Sequence, residues 1–215
     1  MSARVLVDGR GPIVTLAVSH LLGHGVRALQ GAWAAEAAQL ALSGHLGFSD
    51  GHGRRRAPDH TRAITPPAAA LDVVVLVEPG PIDPGRARPW VASGIPHLPV
   101  EVRGDIVIVG PLVAPGHSSC LMCHEFTRQA HRQQGWVNPA TPGGAFEASG
   151  GVASVLLLAS ALTAGIVLDV LAGDLSMAGI STEIAAPVPD FVHRHWPRHP
   201  WCACGGAPRD LPAPA

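Results

Sequence analysis

The chain has 215 residues, enough for one substantial domain, and its formal net charge is −1. All 15 basic residues are arginine and they form no basic stripe, so nucleic acid is excluded as the primary partner. No apolar leader segment precedes the first predicted strand, which begins at Arg4. The sequence therefore predicts a cytoplasmic protein in a reducing compartment.

The N-terminal part predicts the beginning of a parallel βαβ unit. An apolar run at residues 4–8 is typical of a buried strand, and the turn Gly9-Arg10-Gly11 follows it. Pro12 suits the first position of a helix, where its missing N–H would have no partner in any case. The elements predicted after it are a helix over 13–22, a strand over 26–33, a short helix over 34–43 and a loop over 44–67.

The central part is richest in β-branched residues at 72–77, a pattern typical of a strand buried on both faces. The later predicted elements are a brief helix over 89–93, strands over 97–102 and 105–109, a helix over 122–134, a proline-rich loop over 136–144 and a strand over 180–185. Strands and helices alternate along much of the chain, which favours an α/β fold.

Residues 150–173 form an apolar segment long enough to cross a membrane. However, Asp169 lies within it, alanine and glycine are frequent, and neither flank carries an arginine cluster or an aromatic belt. A helix buried on most sides of an α/β protein explains the segment better, so we expect no membrane partner.

The four cysteines form two local pairs that are far apart in the chain. Cys120 and Cys123 belong to Cys-Leu-Met-Cys, whereas Cys202 and Cys204 belong to Cys-Ala-Cys. Two such pairs suit a tetrahedral zinc ion that joins the C-terminal part to the middle of the chain. Because four thiolates leave no coordination position open, the predicted zinc site is structural.

Other interpretations of the cysteines remain open. Two disulfides are disfavoured by the predicted reducing compartment, and a redox Cys-x-x-Cys would leave Cys202 and Cys204 unexplained. Inert thiols are a further alternative. Four nearby histidines could replace a cysteine ligand, although each alone suits a solvated loop position: His117, His124, His195 and His199.

Four features in one order resemble the ThiF-type (ubiquitin-activating-like) superfamily. These are the Gly-x-Gly turn after the first strand, the phrase Gly110-Pro111-Leu112-Val113 with Pro115-Gly116, the first cysteine pair, and the ending Trp196…His199-Pro200…Cys202-Ala203-Cys204. Within the superfamily, the chain is most similar to the ThiF-like partner proteins of azoline-forming cyclodehydratases, which act in thiazole/oxazole-modified peptide pathways.

The resemblance covers nearly the whole chain and implies one ThiF-like domain over residues 1–215. It implies a Rossmann-like part over 1–109 and a zinc-closed part over 110–215, with a mostly parallel sheet and helices on both faces. It also implies a structural zinc, frequently a homodimer, and two partners: a YcaO-type enzyme that activates peptide amides with ATP, and the precursor peptide.

The predicted nucleotide loop departs from that of adenylating members of the superfamily. Their Gly-x-Gly-x-x-Gly loop cradles phosphate, but Val14 occupies the third glycine position here and Pro12 removes one amide donor. The resemblance also implies a lysine on the phosphates, and this chain has no lysine. Gly9, Arg10 and Gly11 therefore remain the candidate residues of a degenerate ATP loop, with Arg10 as the nearest cation.

The acids that the resemblance implies are also displaced. Glu36 lies slightly beyond the position expected for a ribose-binding acid, and Glu78 followed by Pro79 replaces a metal-binding aspartate. These departures predict no catalytic residue, and the resemblance then implies a ThiF-like scaffold that presents a precursor peptide in bacteriocin-type ribosomal peptide maturation. The alternative is an active ATP-dependent adenylyltransferase acting on a peptide or carrier-protein carboxylate.

Overall fold

The computed structural model describes residues 3–26, 28–30, 71–133, 150–186 and 190–205, which form a single seven-stranded sheet with helices packed against it. The strands are β1 (Arg4–Asp8), β2 (Ala28–Gln30), β3 (Val73–Glu78), β4 (His97–Arg103), β5 (Ile106–Val109), β6 (Ile180–Ala185) and β7 (Asp190–His195). The helices are α1 (Pro12–Gly23), α2 (Pro84–Ala92), α3 (Leu121–Gln133) and α4 (Gly150–Leu171).

The sheet has a parallel half and an antiparallel half. Its order is β2-β1-β3-β4-β5-β6-β7, and the first four strands in that order run parallel. The three remaining pairings are antiparallel, because Gly104 and Asp105 form a tight connection that returns the chain directly from β4 to β5. The sheet is therefore mixed, not mostly parallel as the resemblance implied.

Helices cover both faces of the sheet, as predicted. Successive side chains of a strand point to opposite faces, so Val5 and Val7 pack with α1 and α4, whereas Leu6 packs with α2 and the beginning of α3. The same alternation in β3 places Val74 and Leu76 with Leu6. Two apolar cores thus lie on either side of one sheet, which is the layer arrangement of a Rossmann-like α/β fold.

The long apolar segment forms α4, which packs against α1 and the sheet. Val155, Ala159 and Val167 are buried on its inner side, whereas Leu157 and Leu158 are exposed. Residues 152–171 are long and apolar enough to cross a membrane, and 44 % of the most apolar window is buried within the protein. One side of α4 packs as a core helix does, whereas the burial on most sides that the sequence predicted is not observed.

Two elements differ from the sequence-based expectation. Helix α2 begins at Pro84, not near Pro89, because Asp83 caps it by accepting a hydrogen bond from the Gly85 N–H at 2.8 Å. Pro89 lies inside this helix, and strand β7 was not predicted at all. The helix predicted over 34–43, the loops over 44–67 and 136–144, and the end of the strand over 26–33 lie outside the described residues.

Candidate functional site

The structure brings the four cysteines into one cluster. Cys120 immediately precedes α3 and Cys123 lies in its first turn, while Cys204 lies in a 3₁₀ turn over Ala203–Gly205. The Sγ atom of Cys120 is 3.5 Å from that of Cys202, and the Sγ atom of Cys123 is 3.4 Å from that of Cys204. All four sulfur atoms lie within 4.8 Å of one another, so residues 81 and 82 positions apart share one site.

The cluster has the dimensions of a tetrahedral thiolate site. With metal–sulfur bonds of about 2.3 Å, a tetrahedron has sulfur–sulfur edges of about 3.8 Å. The Sγ atoms of Cys120 and Cys123 are 3.9 Å apart, and the two distances across the pairs are slightly shorter. Sulfur ligands alone favour a soft or borderline metal such as zinc. The residues present therefore fit the group that the sequence predicted.

The thiols of the cluster differ in pKa. The pKa of Cys123 is lowered because the Cys120 thiol donates a hydrogen bond to its sulfur, and the same hydrogen bond, together with burial, raises the pKa of Cys120. Burial raises the pKa of Cys204 to about 11. One thiol of the cluster therefore loses its proton readily, whereas each further thiolate would be repelled by the first. A divalent cation would stabilise the thiolate form of all four cysteines.

Hydrogen bonds attach the C-terminal segment to the rest of the fold independently of the sulfurs. The Trp196 backbone N–H donates to the Gly179 carbonyl at 2.8 Å, and its indole N–H donates to the Ser181 hydroxyl at 2.8 Å. The Ser119 hydroxyl donates to the Trp196 carbonyl at 2.7 Å, and the Arg198 guanidinium donates to the Ser118 carbonyl. The backbone of this segment is thereby positioned so that Cys202 and Cys204 face α3.

Among the described residues, no histidine joins the sulfur cluster. His124 is buried and stacks on Trp196 with ring centroids 4.6 Å apart, and burial followed by the charge of Arg128 lowers its pKa to about 3. His199 packs against Phe126, and His117 contacts the Pro115 carbonyl. His195 lines a separate crevice. The alternative of a histidine ligand is therefore not supported.

The nucleotide loop lies at the carboxyl end of β1. A Cβ atom at Gly9 would lie 2.4 Å from the Val77 carbonyl oxygen, so only glycine allows the loop to approach β3 this closely. Gly11 caps α1 with a φ of 102°, and Pro12 is the first helical residue. Arg10 is exposed. The turn has the expected course, but no side chain caps the helix and the Pro12 nitrogen carries no hydrogen.

An ion-pair cluster that the sequence did not reveal lies at the same sheet edge. Arg86 of α2 pairs with Asp8 at the end of β1, with Nη2 and Oδ2 2.5 Å apart, and with Glu78 at the end of β3. The three side chains are 17–25 % exposed. Two carboxylates thus flank the loop at the position where a phosphate cradle needs hydrogen-bond donors. The Arg86 guanidinium neutralises them and is therefore already paired with carboxylates instead of being free to bind phosphate.

A crevice of about 480 Å³ lies between α3 and the antiparallel half of the sheet. Buried Glu101 lines the crevice, where it pairs with Arg103 and accepts a hydrogen bond from the Ile82 N–H at 3.0 Å. At the β7 side, Arg194 forms a two-point ion pair with Glu183. Its lining combines these ion pairs with apolar surface. None of its charged side chains was identified from the sequence, because they come from four separate elements.

Comparison with known proteins places this geometry in context. No protein-family model matches the chain, and no curated protein matches it. Among solved structures, E. coli MccB with selenomethionine MccA superposes with a TM-score of 0.62 at 17 % identity, over 95 % of this chain and 66 % of MccB. E. coli MccB with ATP superposes with a TM-score of 0.60 at 17 % identity, over 95 % and 67 % of the two chains.

A heterocyclase in complex with substrate and cofactor superposes with a TM-score of 0.56 at 13 % identity, over 97 % of this chain and 26 % of the heterocyclase. The chain has the ThiF-type fold. The chain spans about two thirds of the length of MccB and about a quarter of the heterocyclase. At these identities the comparison confirms the fold that the resemblance predicted, and fold alone does not determine activity.

Proposed function

We propose that this chain is a ThiF-like scaffold that presents a precursor peptide to a YcaO-type cyclodehydratase and does not itself adenylate a carboxylate. The pathway is the maturation of a ribosomal peptide to a thiazole- or oxazole-containing product. The proposal draws on the solved structures with the same fold, since MccB is a microcin C7 biosynthetic enzyme seen with MccA and the heterocyclase is seen with its substrate.

The observation that carries the proposal is the ion-pair cluster at the nucleotide loop. Adenylation requires cations and backbone donors around the phosphates of ATP. Here Asp8 and Glu78 approach the loop, Arg86 is committed to both of them, and Pro12 offers no donor. A triphosphate at Gly9–Gly11 would face two carboxylates, so we expect ATP to bind weakly or not at all.

The cysteine cluster supports a structural zinc in this scaffold. Cys120, Cys123, Cys202 and Cys204 would each contribute one sulfur, and the bound ion would supply four bonds and no open position. Its role is to fix the C-terminal segment on α3. The cytoplasmic location and the homodimer that the resemblance implies remain predictions within this proposal.

An active adenylyltransferase is the second candidate, and one observation favours it. E. coli MccB with bound ATP superposes on 95 % of this chain, and the Gly-x-Gly turn follows the same course after β1 as sequence analysis predicted. Calorimetric titration with magnesium and ATP, followed by exchange of labelled pyrophosphate in the presence of a peptide acid, separates the two candidates. Measurable exchange would remove the scaffold proposal.

Association with the enzyme partner tests the proposal itself. A YcaO-type enzyme from the same genome, co-expressed with the tagged chain, should elute with it in a complex of fixed stoichiometry. The matched control is an unrelated YcaO-type enzyme, which should not elute with the chain. If neither enzyme is retained at micromolar concentrations, the proposed partnership is contradicted.

A further inference from the structure

Strand β7 forms one edge of the sheet. Among the residues that the structure describes, its only strand neighbour is β6, and every residue of β7 except Arg194 is exposed. An edge strand presents unpaired backbone N–H and C=O groups along its outer side. Six residues of such an edge are long enough to template another strand.

The direction of these backbone groups follows from the pairing register. The Trp196 N–H donates to the Gly179 carbonyl, so this position faces β6. Backbone hydrogen bonding alternates between the two sides of an antiparallel strand with a period of two residues. The N–H and C=O groups of Phe191, His193 and His195 therefore point away from β6, toward the open side.

The side chains of β7 indicate what would bind there. Phe191 is 48 % exposed and Val192 is 38 % exposed. Because they are consecutive in a strand, they point to opposite faces, Phe191 beside Ile184 and Val192 beside Glu183. The edge therefore offers one apolar contact on each face, separated by the row of backbone donors and acceptors.

We infer that the open edge of β7 binds an extended peptide by strand addition, with two consecutive apolar residues of that peptide packing on Phe191 and Val192. Backbone hydrogen bonds to Phe191, His193 and His195 supply the affinity, and the two apolar contacts select the sequence. The inference rests on the proposed function for the identity of the occupant, which would be a segment of the precursor peptide.

A second copy of the chain is a less suitable occupant. Pairing of β7 with its own copy would join two six-residue strands, whereas a stable interface buries about 800 Å² per partner. An extended peptide needs no such area, because it gains its affinity from main-chain hydrogen bonds and can be captured from an unstructured state.

The test is a selection of peptides about twelve residues long, twice the length of a typical strand, from a random displayed library. Selected peptides should carry two consecutive apolar residues. In His193→Pro, the outward N–H is lost and the proline ring blocks the edge, so the dissociation constant, measured by fluorescence anisotropy, should rise about tenfold or more.

His193→Ala is the matched control, because both substitutions remove the hydrogen bond between the His193 ring and the Thr182 hydroxyl but only proline removes the backbone donor. The alanine variant should bind within about threefold of the original chain. If His193→Pro fails to fold, Val192→Lys, which places a charge on the edge, should weaken binding instead.

Three results of the binding and oligomer measurements would overturn the inference. They are failure to select any peptide, equal binding to His193→Pro and His193→Ala, and a dimer of the original chain that only His193→Pro dissociates. The proposed function is measured separately, as the effect of the chain on a YcaO-type enzyme. Peptide binding at β7 without any effect on the YcaO-type enzyme would contradict the proposed function alone. A folded His193→Pro chain that keeps its full effect on the enzyme would contradict the inference about β7 alone.

Discussion

At the residue scale, His97 is the clearest case of a titratable group placed in a core. Its side chain is fully buried in β4, its Nδ1 contacts the Ile95 carbonyl, and Nε2 has no hydrogen-bond partner among the residues that the structure describes. Burial lowers the pKa of His97 to about 4, and the contact with Ile95 offsets only part of this. Folding therefore selects the neutral imidazole.

This burial predicts a pH-dependent free energy of unfolding. The unfolded chain takes up the proton near pH 6.5 and the folded chain only near pH 4, so stability is full above pH 6.5 and falls as the pH decreases toward 4. The loss should reach about 3 kcal/mol. Urea unfolding of the original chain and of His97→Leu at several pH values checks it. A pH-independent difference between the two chains would show that His97 does not titrate as described.

Arg86 gives a second prediction at this scale. Arg86→Ala leaves Asp8 and Glu78 facing each other without a cation, so we expect a loss of about 1–2 kcal/mol, moderated by the partial exposure of all three side chains. Urea unfolding measures it, and Arg88→Ala on the exposed side of the same helix is the matched control. Equal stability of the two variants would remove the structural role of the cluster.

The residue scale also shows the reach of sequence reasoning. The cysteine cluster was predictable, because two local thiol pairs with no cysteine left over have few other uses in a reducing compartment. The Arg86 cluster was not, since its members lie up to 78 positions apart and only the parallel register brings Asp8 and Glu78 to one edge. The available signal was Glu78, which the family resemblance placed where a metal-binding aspartate was expected.

At the scale of elements, strands were predictable where β-branched residues are consecutive. Strand β3 is buried along nearly its whole length, and its apolar run left no other interpretation. Strand β7 has the opposite character, because Asp190, His193 and Arg194 give it neither an apolar run nor a regular alternation. It exists because β6 offers an edge to pair with, and that is tertiary information.

Helix α2 shows a misread local signal. The sequence predicts that this helix begins at Pro89. In the structure, Asp83 is the N-cap and Pro84 is the first helical residue. Pro89 lies inside the helix, where it has no N–H to donate to the Gly85 carbonyl four positions earlier. The Asp-Pro pair was the better signal, and capping chemistry outranks a lone proline.

The contact between the nucleotide loop and β3 yields a prediction at this scale. Gly9→Ala places a Cβ atom 2.4 Å from the Val77 carbonyl oxygen, so the loop or the strand must move, and we expect a loss of about 3 kcal/mol. Gly23→Ala, at the end of α1 with open space around it, should change stability by less than about 1 kcal/mol. Urea midpoints compare the two, and a Gly9→Ala chain as stable as the control would contradict the close approach.

At the scale of the whole molecule, the sulfur cluster joins two distant parts of the chain. Cys202→Ser should lower the bound zinc from about one ion per chain to none, and reduce stability by several kcal/mol, because metal binding is coupled to folding. Elemental analysis and thermal unfolding measure the two effects. Ala203→Ser, which leaves all four thiols in place, is the matched control. If the original chain contains no metal and unfolds at the same temperature as Cys202→Ser, the zinc site is refuted.

The whole-molecule fold was expected from a family resemblance carried by short motifs, and the solved structures bear it out at 13–17 % identity. The motifs did not predict the mixed sheet or the place of β7 at the edge of the described sheet, because edges depend on strand order. We propose that a protein with this fold presents a precursor peptide to a YcaO-type enzyme and does not adenylate a carboxylate.

The most direct measurement of that claim is the rate of azoline formation by the YcaO-type enzyme on its precursor peptide, with and without this chain. We predict a large increase in the rate of azoline formation when the chain is added. Folded Arg86→Ala and Arg88→Ala chains should give the same increase. The chain alone should show no pyrophosphate exchange. An unchanged rate in the presence of saturating chain would contradict the account.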